Sequence, residues 1–83
     1  MNLDYTNQGR RPTVAQIVKA WRNGGQPDKF TVEYGETFAQ FEYLRGQWVA
    51  NGNGCRGINR DTVVQALKRE PAPSKYTSDW LRG

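Results

Sequence analysis

The residues of this chain that could do chemistry are few, and their spacing decides what kind. Gly52, Gly54 and Gly57 spell G-x-G-x-x-G, with Arg56 inside the motif and Arg60 just after it. Such glycines let backbone N–H groups cradle a phosphate where a strand gives way to a helix. A nucleotide-binding fold needs a parallel strand after that helix, and the remaining residues do not provide one. The motif therefore reads as a flexible sheet-to-helix connection, with Arg56 and Arg60 able to hold a nucleic-acid phosphate. Cys55 lies in the same loop, where positive charge can lower a thiol pKa, but no partner base accompanies it. It reads as an unreactive loop cysteine. Histidine is absent and cysteine occurs once. Neither a Ser/His or Cys/His nucleophile nor a Cys/His zinc site can then form within one chain. Glu33, Glu36 and Glu42 offer acid–base or hard-cation chemistry, yet their positions fit solvated surface charge better. The expectation is no catalytic residue, no metal and no cofactor: a protein that is not an enzyme.

Charge points to an anionic partner, but weakly. The 83 residues carry twelve Lys/Arg against eight Asp/Glu, a formal +4, and eight of the twelve cations are arginine. Arginine is the side chain suited to bidentate phosphate or carboxylate contacts. The excess is divided: residues 1–25 total +3, residues 26–50 total −2, and residues 51–83 total +3. The acidic middle disfavours a reader that lays its sheet on phosphates. Candidate nucleic-acid contacts are therefore Arg10, Arg11, Lys19, Arg22, Arg56 and Arg60, outside that middle segment.

The elements that must position these groups are legible in part. Residues 1–11 are poor in apolar side chains and read as a flexible basic arm. A domain over residues 12–70 follows, and residues 71–83 read as a Pro-stiffened aromatic tail. Thr13 and Gln16 form a T-x-x-Q capping box. Val14, Ile17, Val18 and Trp21 then make one apolar stripe at helical spacing, ended by Gly24-Gly25. Gly35-Glu36 has the signature of a type II′ hairpin turn. That turn pairs Tyr34 with Thr37, Val32 with Ala39 and Phe30 with Phe41 on one face. Lys29 and Glu42, and Thr31 and Gln40, fall on the other. Arg45-Gly46 makes a second turn, setting Tyr43 opposite Trp48 and Phe41 opposite Ala50. The loop 51–59 leads to a second helix, read as capped by Thr62 with Gln65 and stopped by Pro71. The expected fold is α+β, a single α-β-β-β-α domain with a three-stranded antiparallel meander packed on two helices.

This element order, in a small basic domain, resembles that of double-stranded RNA-binding domains. The resemblance implies RNA contacts through the first helix, the first strand–strand loop and a lysine-rich start of the last helix. Here the first turn is only Gly35-Glu36 and the last helix opens as NRDTVVQ, so the likeness covers the order of elements over residues 13–70. The same order occurs in small toxin ribonucleases that use a strand histidine, a residue this chain lacks.

The meander register also leaves Phe38, Leu44 and Val49 on the face away from the helices. Either Tyr76 and Trp80 of the tail cover them or a partner does. Two functions follow as expectations. The first is a non-enzymatic module contacting the backbone of DNA or RNA through Arg/Lys at helix ends and loops. The second is a compact protein-binding inhibitor or adaptor, of mobile-element or phage type, acting on a host complex through Phe38, Leu44, Val49, Tyr76 and Trp80. A homodimer is open; a small-molecule substrate is not expected. No run approaches the roughly 20 apolar residues that span a bilayer, and the polar N-terminus lacks a signal segment. A cytoplasmic protein without a membrane partner is expected.

Overall fold

The computed structural model describes residues 1–55 and 57–74, so Arg56, Tyr76 and Trp80 lie outside the described residues. The elements run β1 (Asn2–Asp4), α1 (Val14–Asn23), β2 (Lys29–Tyr34), β3 (Thr37–Leu44), β4 (Gln47–Gly54) and α2 (Arg60–Lys68). The fold is α+β: a four-stranded mixed sheet in the order β1-β2-β3-β4 with two helices. No helix among the described residues is long and apolar enough to cross a membrane.

The meander forms in the register that patterning and turns demand. Lys29↔Glu42, Phe30↔Phe41, Thr31↔Gln40, Val32↔Ala39 and Tyr34↔Thr37 are all partners. On the other side of β3, Phe41↔Ala50 and Tyr43↔Trp48 pair as expected. Gly35 carries φ +66 at the first turn, while Arg45 (φ 50) and Gly46 (φ +84) are both left-handed at the second. Positive φ at both central residues matches the right-handed twist of the strands they join.

Residues 2–4 correct the reading of a flexible arm. They form β1, which lies parallel to β2 with Leu3 opposite Val32. Leu3 packs against the core while Asn2 and Asp4 stay exposed, the alternation of a half-buried strand. The main chain continues the ladder at both ends, through Thr31 N to Met1 O (2.9 Å) and Tyr5 N to Glu33 O (2.8 Å). β1, α1 and β2 are therefore a βαβ unit at the start of the chain. The expected helix–three strands–helix order gains a strand in front, which takes it away from the order shared with double-stranded RNA-binding domains.

A second correction concerns the glycine loop. Asn51–Gly54 continue β4 rather than leaving the sheet. Phe38 pairs with Gly54 and Gln40 with Asn51, so β4 carries one extra residue, a β-bulge. Gly52 has φ +106, and a Cβ there would stand 2.7 Å from the Phe38 carbonyl oxygen. Only glycine fits. The side chain of Asn53 then accepts a hydrogen bond from the Phe38 N–H at 2.8 Å.

One core joins the helices to a single face of the sheet. Ile17, Val18 and Trp21 from α1 meet Val63 and Leu67 from α2 over Phe30, Val32, Ala39, Phe41 and Trp48. Trp48 takes Trp21, Phe30 and Tyr43 edge-on at 5.8, 5.9 and 5.4 Å between ring centres. Phe30 stacks on Phe41 at 5.2 Å. The indole N–H of Trp21 donates to Pro27 O at 2.8 Å, so its burial leaves no polar atom stranded. Each such side chain contributes about 1.5–3 kcal/mol by leaving water. A domain this small needs most of them.

Candidate nucleic-acid interface

The helix ends position the arginines. α1 begins at Thr13, whose hydroxyl oxygen accepts from Gln16 N at 3.1 Å while Gln16 Oε1 accepts from Thr13 N at 2.7 Å. The capping box expected at Thr13 is present. The one expected at Thr62 is not. α2 starts at Arg60 under Asn59, whose side chain accepts from Asp61 N at 2.8 Å. Asparagine is the stronger cap, and the earlier start puts Asp61 in the first turn against the helix dipole.

The two helices lie side by side in the same direction. At one end, Thr13 and Val14 share a small cavity with Gly57, Asn59 and Thr62, so the two N-termini are neighbours. At the other, Arg22 near the end of α1 grips Glu70 just past α2 through two hydrogen bonds. The candidate basic residues sort between these ends.

Arg22 is committed at the C-terminal end. Its guanidinium meets the Glu70 carboxylate with Nε to Oε1 and, at 2.6 Å, Nη2 to Oε2. The hydrogen bond from Arg22 holds the Glu70 carboxyl below its ordinary range, and Glu70 in turn raises the Arg22 value. Two of the five N–H donors of Arg22 are spent on Glu70, and its side chain is 53 % exposed. Lys19 is exposed on the middle of α1 and has no ion pair among the described residues.

The N-terminal end is different. Arg10 and Arg11 line a cleft of about 720 Å³ together with Thr6, Thr13, Tyr34 and Gly57. Neither arginine has a carboxylate partner among the described residues, and none of the described residues lining the cleft is acidic. The cleft sits where β1 and β2, the two parallel strands, end, beside the start of α1. Crevices outside the carboxyl ends of parallel strands are where open α/β sheets receive ligands. The positive end of the α1 dipole adds to the two guanidinium charges there. Arg11 also leans on Gly57: a Cβ at that glycine would lie 2.6 Å from one guanidinium nitrogen. Arg60, at the first turn of α2, donates from Nη1 to the Gly52 carbonyl at 3.0 Å, tying the helix start to the bulge. Thus Arg10 and Arg11 come together, Arg60 stands at the same end of the helix pair, and Lys19 and Arg22 do not join them.

Two of the glycines read as a phosphate cradle serve the sheet. Gly52 and Gly54 are strand residues at the bulge, whereas Gly57, with φ +73, gives room to Arg11. Cys55 is buried and its thiol donates to Val32 O at 3.1 Å. Burial, with a smaller push from Glu33, raises its pKa, although a backbone hydrogen bond from Ala39 pulls the other way. A raised pKa and a buried sulfur make it a poor nucleophile.

The apolar residues of the outer sheet face are placed apart. Phe38 is 41 % exposed and lies over the backbone of Gly52, near the far end of β4. Leu44 stands six residues along the same strand, about 20 Å away. Val49, opposite Glu42, neighbours Leu44 but not Phe38. Between them run Gln40 and Glu42, so the three side chains do not form one continuous patch.

The missing signal was β1. Three residues carry no periodicity that could announce a strand, and without it no sequence reading reaches the parallel pair whose ends form the cleft. The place of Thr6, Thr13 and Tyr34 in the cleft lining depends on that strand. Comparison with known proteins finds no family model, no curated protein and no solved structure that matches this chain.

Proposed function

We propose that this protein is a non-enzymatic module that binds the phosphate backbone of a nucleic acid, with Arg10 and Arg11 as its principal contacts. The observation that carries the reading is the cleft at the ends of β1 and β2. It brings two arginines, without acidic partners among the described residues, together with a helix N-terminus and the Thr13 side chain. Phosphate contacts of this kind position a nucleic acid and supply most of its non-specific affinity. The acidic residues Glu33 and Glu42 on β2 and β3 keep phosphates off the sheet, leaving the helix N-terminal end as the favourable approach. Arg60 extends the positive end, while Lys19 and Arg22 lie outside the binding footprint. Binding of labelled DNA and RNA, followed across salt concentration, tests this. Affinity is expected to fall steeply between low and moderate salt, and less steeply for an Arg10→Ala/Arg11→Ala variant. Affinity that ignores salt would remove the reading.

A further inference from the structure

The same cleft carries a narrower statement, one that rests on the nucleic-acid reading and goes beyond it. We propose that it receives one nucleotide of a single-stranded chain, the phosphate between Arg10 and Arg11 and the base against the ring of Tyr34. Three features argue for a single strand. The first is the form of the site: an open cleft of about 720 Å³ at the strand ends, which a nucleotide can enter from solvent without being enclosed. A duplex keeps its bases stacked inside and offers a convex ridge of phosphates, whereas a single strand splays a nucleotide into a recess.

The second feature is the chemistry of the lining. Arg10 and Arg11 supply charge, and Tyr34 supplies an aromatic platform in the same cleft. Cationic groups that follow a backbone, interleaved with rings on which bases stack, are the common means of holding single strands. The backbone that carries the ring is anchored. Tyr34 is the last residue of β2, paired with Thr37, whose hydroxyl donates to Tyr34 O at 2.6 Å. The Thr13 hydroxyl accepts from Gln16 N and keeps its own proton as a donor.

The third feature is the rim. Glu36 is exposed at the tip of the turn that borders the cleft. A duplex laid across the site carries two rows of phosphates, one of which would meet that carboxylate; a single strand carries one row and can pass it.

The experiment compares three labelled ligands on the intact protein by fluorescence anisotropy. These are a single-stranded oligonucleotide, the same sequence as a blunt duplex, and a mononucleotide. The single strand is expected to bind at least about tenfold more tightly than the duplex, with the mononucleotide weaker than the strand but competing with it. Tyr34→Ala is expected to weaken single-strand binding about tenfold with an unchanged salt slope, and Tyr34→Phe to leave it intact. Equal affinity for duplex and single strand overturns this inference while leaving phosphate binding standing, and needs no variant. Undiminished binding by folded Tyr34→Ala also overturns it. Salt-independent or absent binding of all three ligands overturns the parent reading as well.

Discussion

The two ends of the helix pair hold the same kind of side chain in opposite circumstances. At the C-terminal end Arg22 is locked to Glu70, and the pair ties α1 to the residues after α2. At the N-terminal end Arg10 and Arg11 line an open cleft with no carboxylate among its described residues. A cation next to a carboxylate is neutralised and holds the fold; a cation left without one, beside a helix N-terminus, is free for an outside anion. Counting arginines could not distinguish these cases. The difference teaches that the formal charge of +4 is less informative than which cations the fold has already used.

That contrast can be broken in order of expected effect. Charge reversal at the open end, Arg10→Glu with Arg11→Glu, is expected to weaken oligonucleotide binding about a hundredfold or more, measured by anisotropy at fixed salt. Thermal unfolding should barely move, because neither arginine has a partner to lose among the described residues. Next comes Gly57→Ala. A left-handed φ of +73 and a Cβ only 2.6 Å from the Arg11 guanidinium predict a stability loss of about 1–2 kcal/mol by chemical denaturation. Binding should weaken with it, because Arg11 must shift.

At the closed end the expected effect is on stability and its pH dependence. The Glu70 carboxyl is held below its ordinary value of 4.5 by Arg22. Its contribution is therefore whole above pH 4.5 and fades as pH falls through the lowered value. Glu70→Gln should lower the melting temperature at neutral pH, and the wild-type and variant curves should converge in acid. Arg22→Ala should do the same and leave oligonucleotide affinity within about twofold, as expected for a surface pair. The smallest effect belongs to Lys19→Ala, exposed and remote from the cleft, which should change neither stability nor salt slope measurably.

Much of the fold was legible because local signals agreed. Gly35-Glu36 and Arg45-Gly46 set the turn geometry, and the alternation of Phe30, Val32, Ala39 and Phe41 allowed one register. The observed pairs follow it. The misses have physical causes. Asn2–Asp4 is too short to show a period, and its pairing with β2 spans the whole of α1. The bulge at Gly52 and Asn53 carries a strand through a stretch whose composition reads as loop. Asn59 outcompetes Thr62 as a cap because starting there adds a turn with Asp61 well placed. The site was legible only as residue types. Arg10, Arg11 and Arg60 were named, but so were Lys19 and Arg22, and only tertiary packing separates the two groups. Tyr34 was read as a core-facing strand residue, and its place in the cleft depends on where β1 ends.

The most direct measurement is the slope of log affinity against log salt for a single-stranded oligonucleotide, compared between wild type and Arg10→Ala/Arg11→Ala. Each phosphate contact on a single strand contributes about 0.7 to that slope. If Arg10 and Arg11 together hold one phosphate, the variant's slope is shallower by about 0.7, and that of Arg22→Ala is unchanged. Parallel lines for wild type and the double variant, or an equal loss from Arg22→Ala, would contradict the division between the two ends.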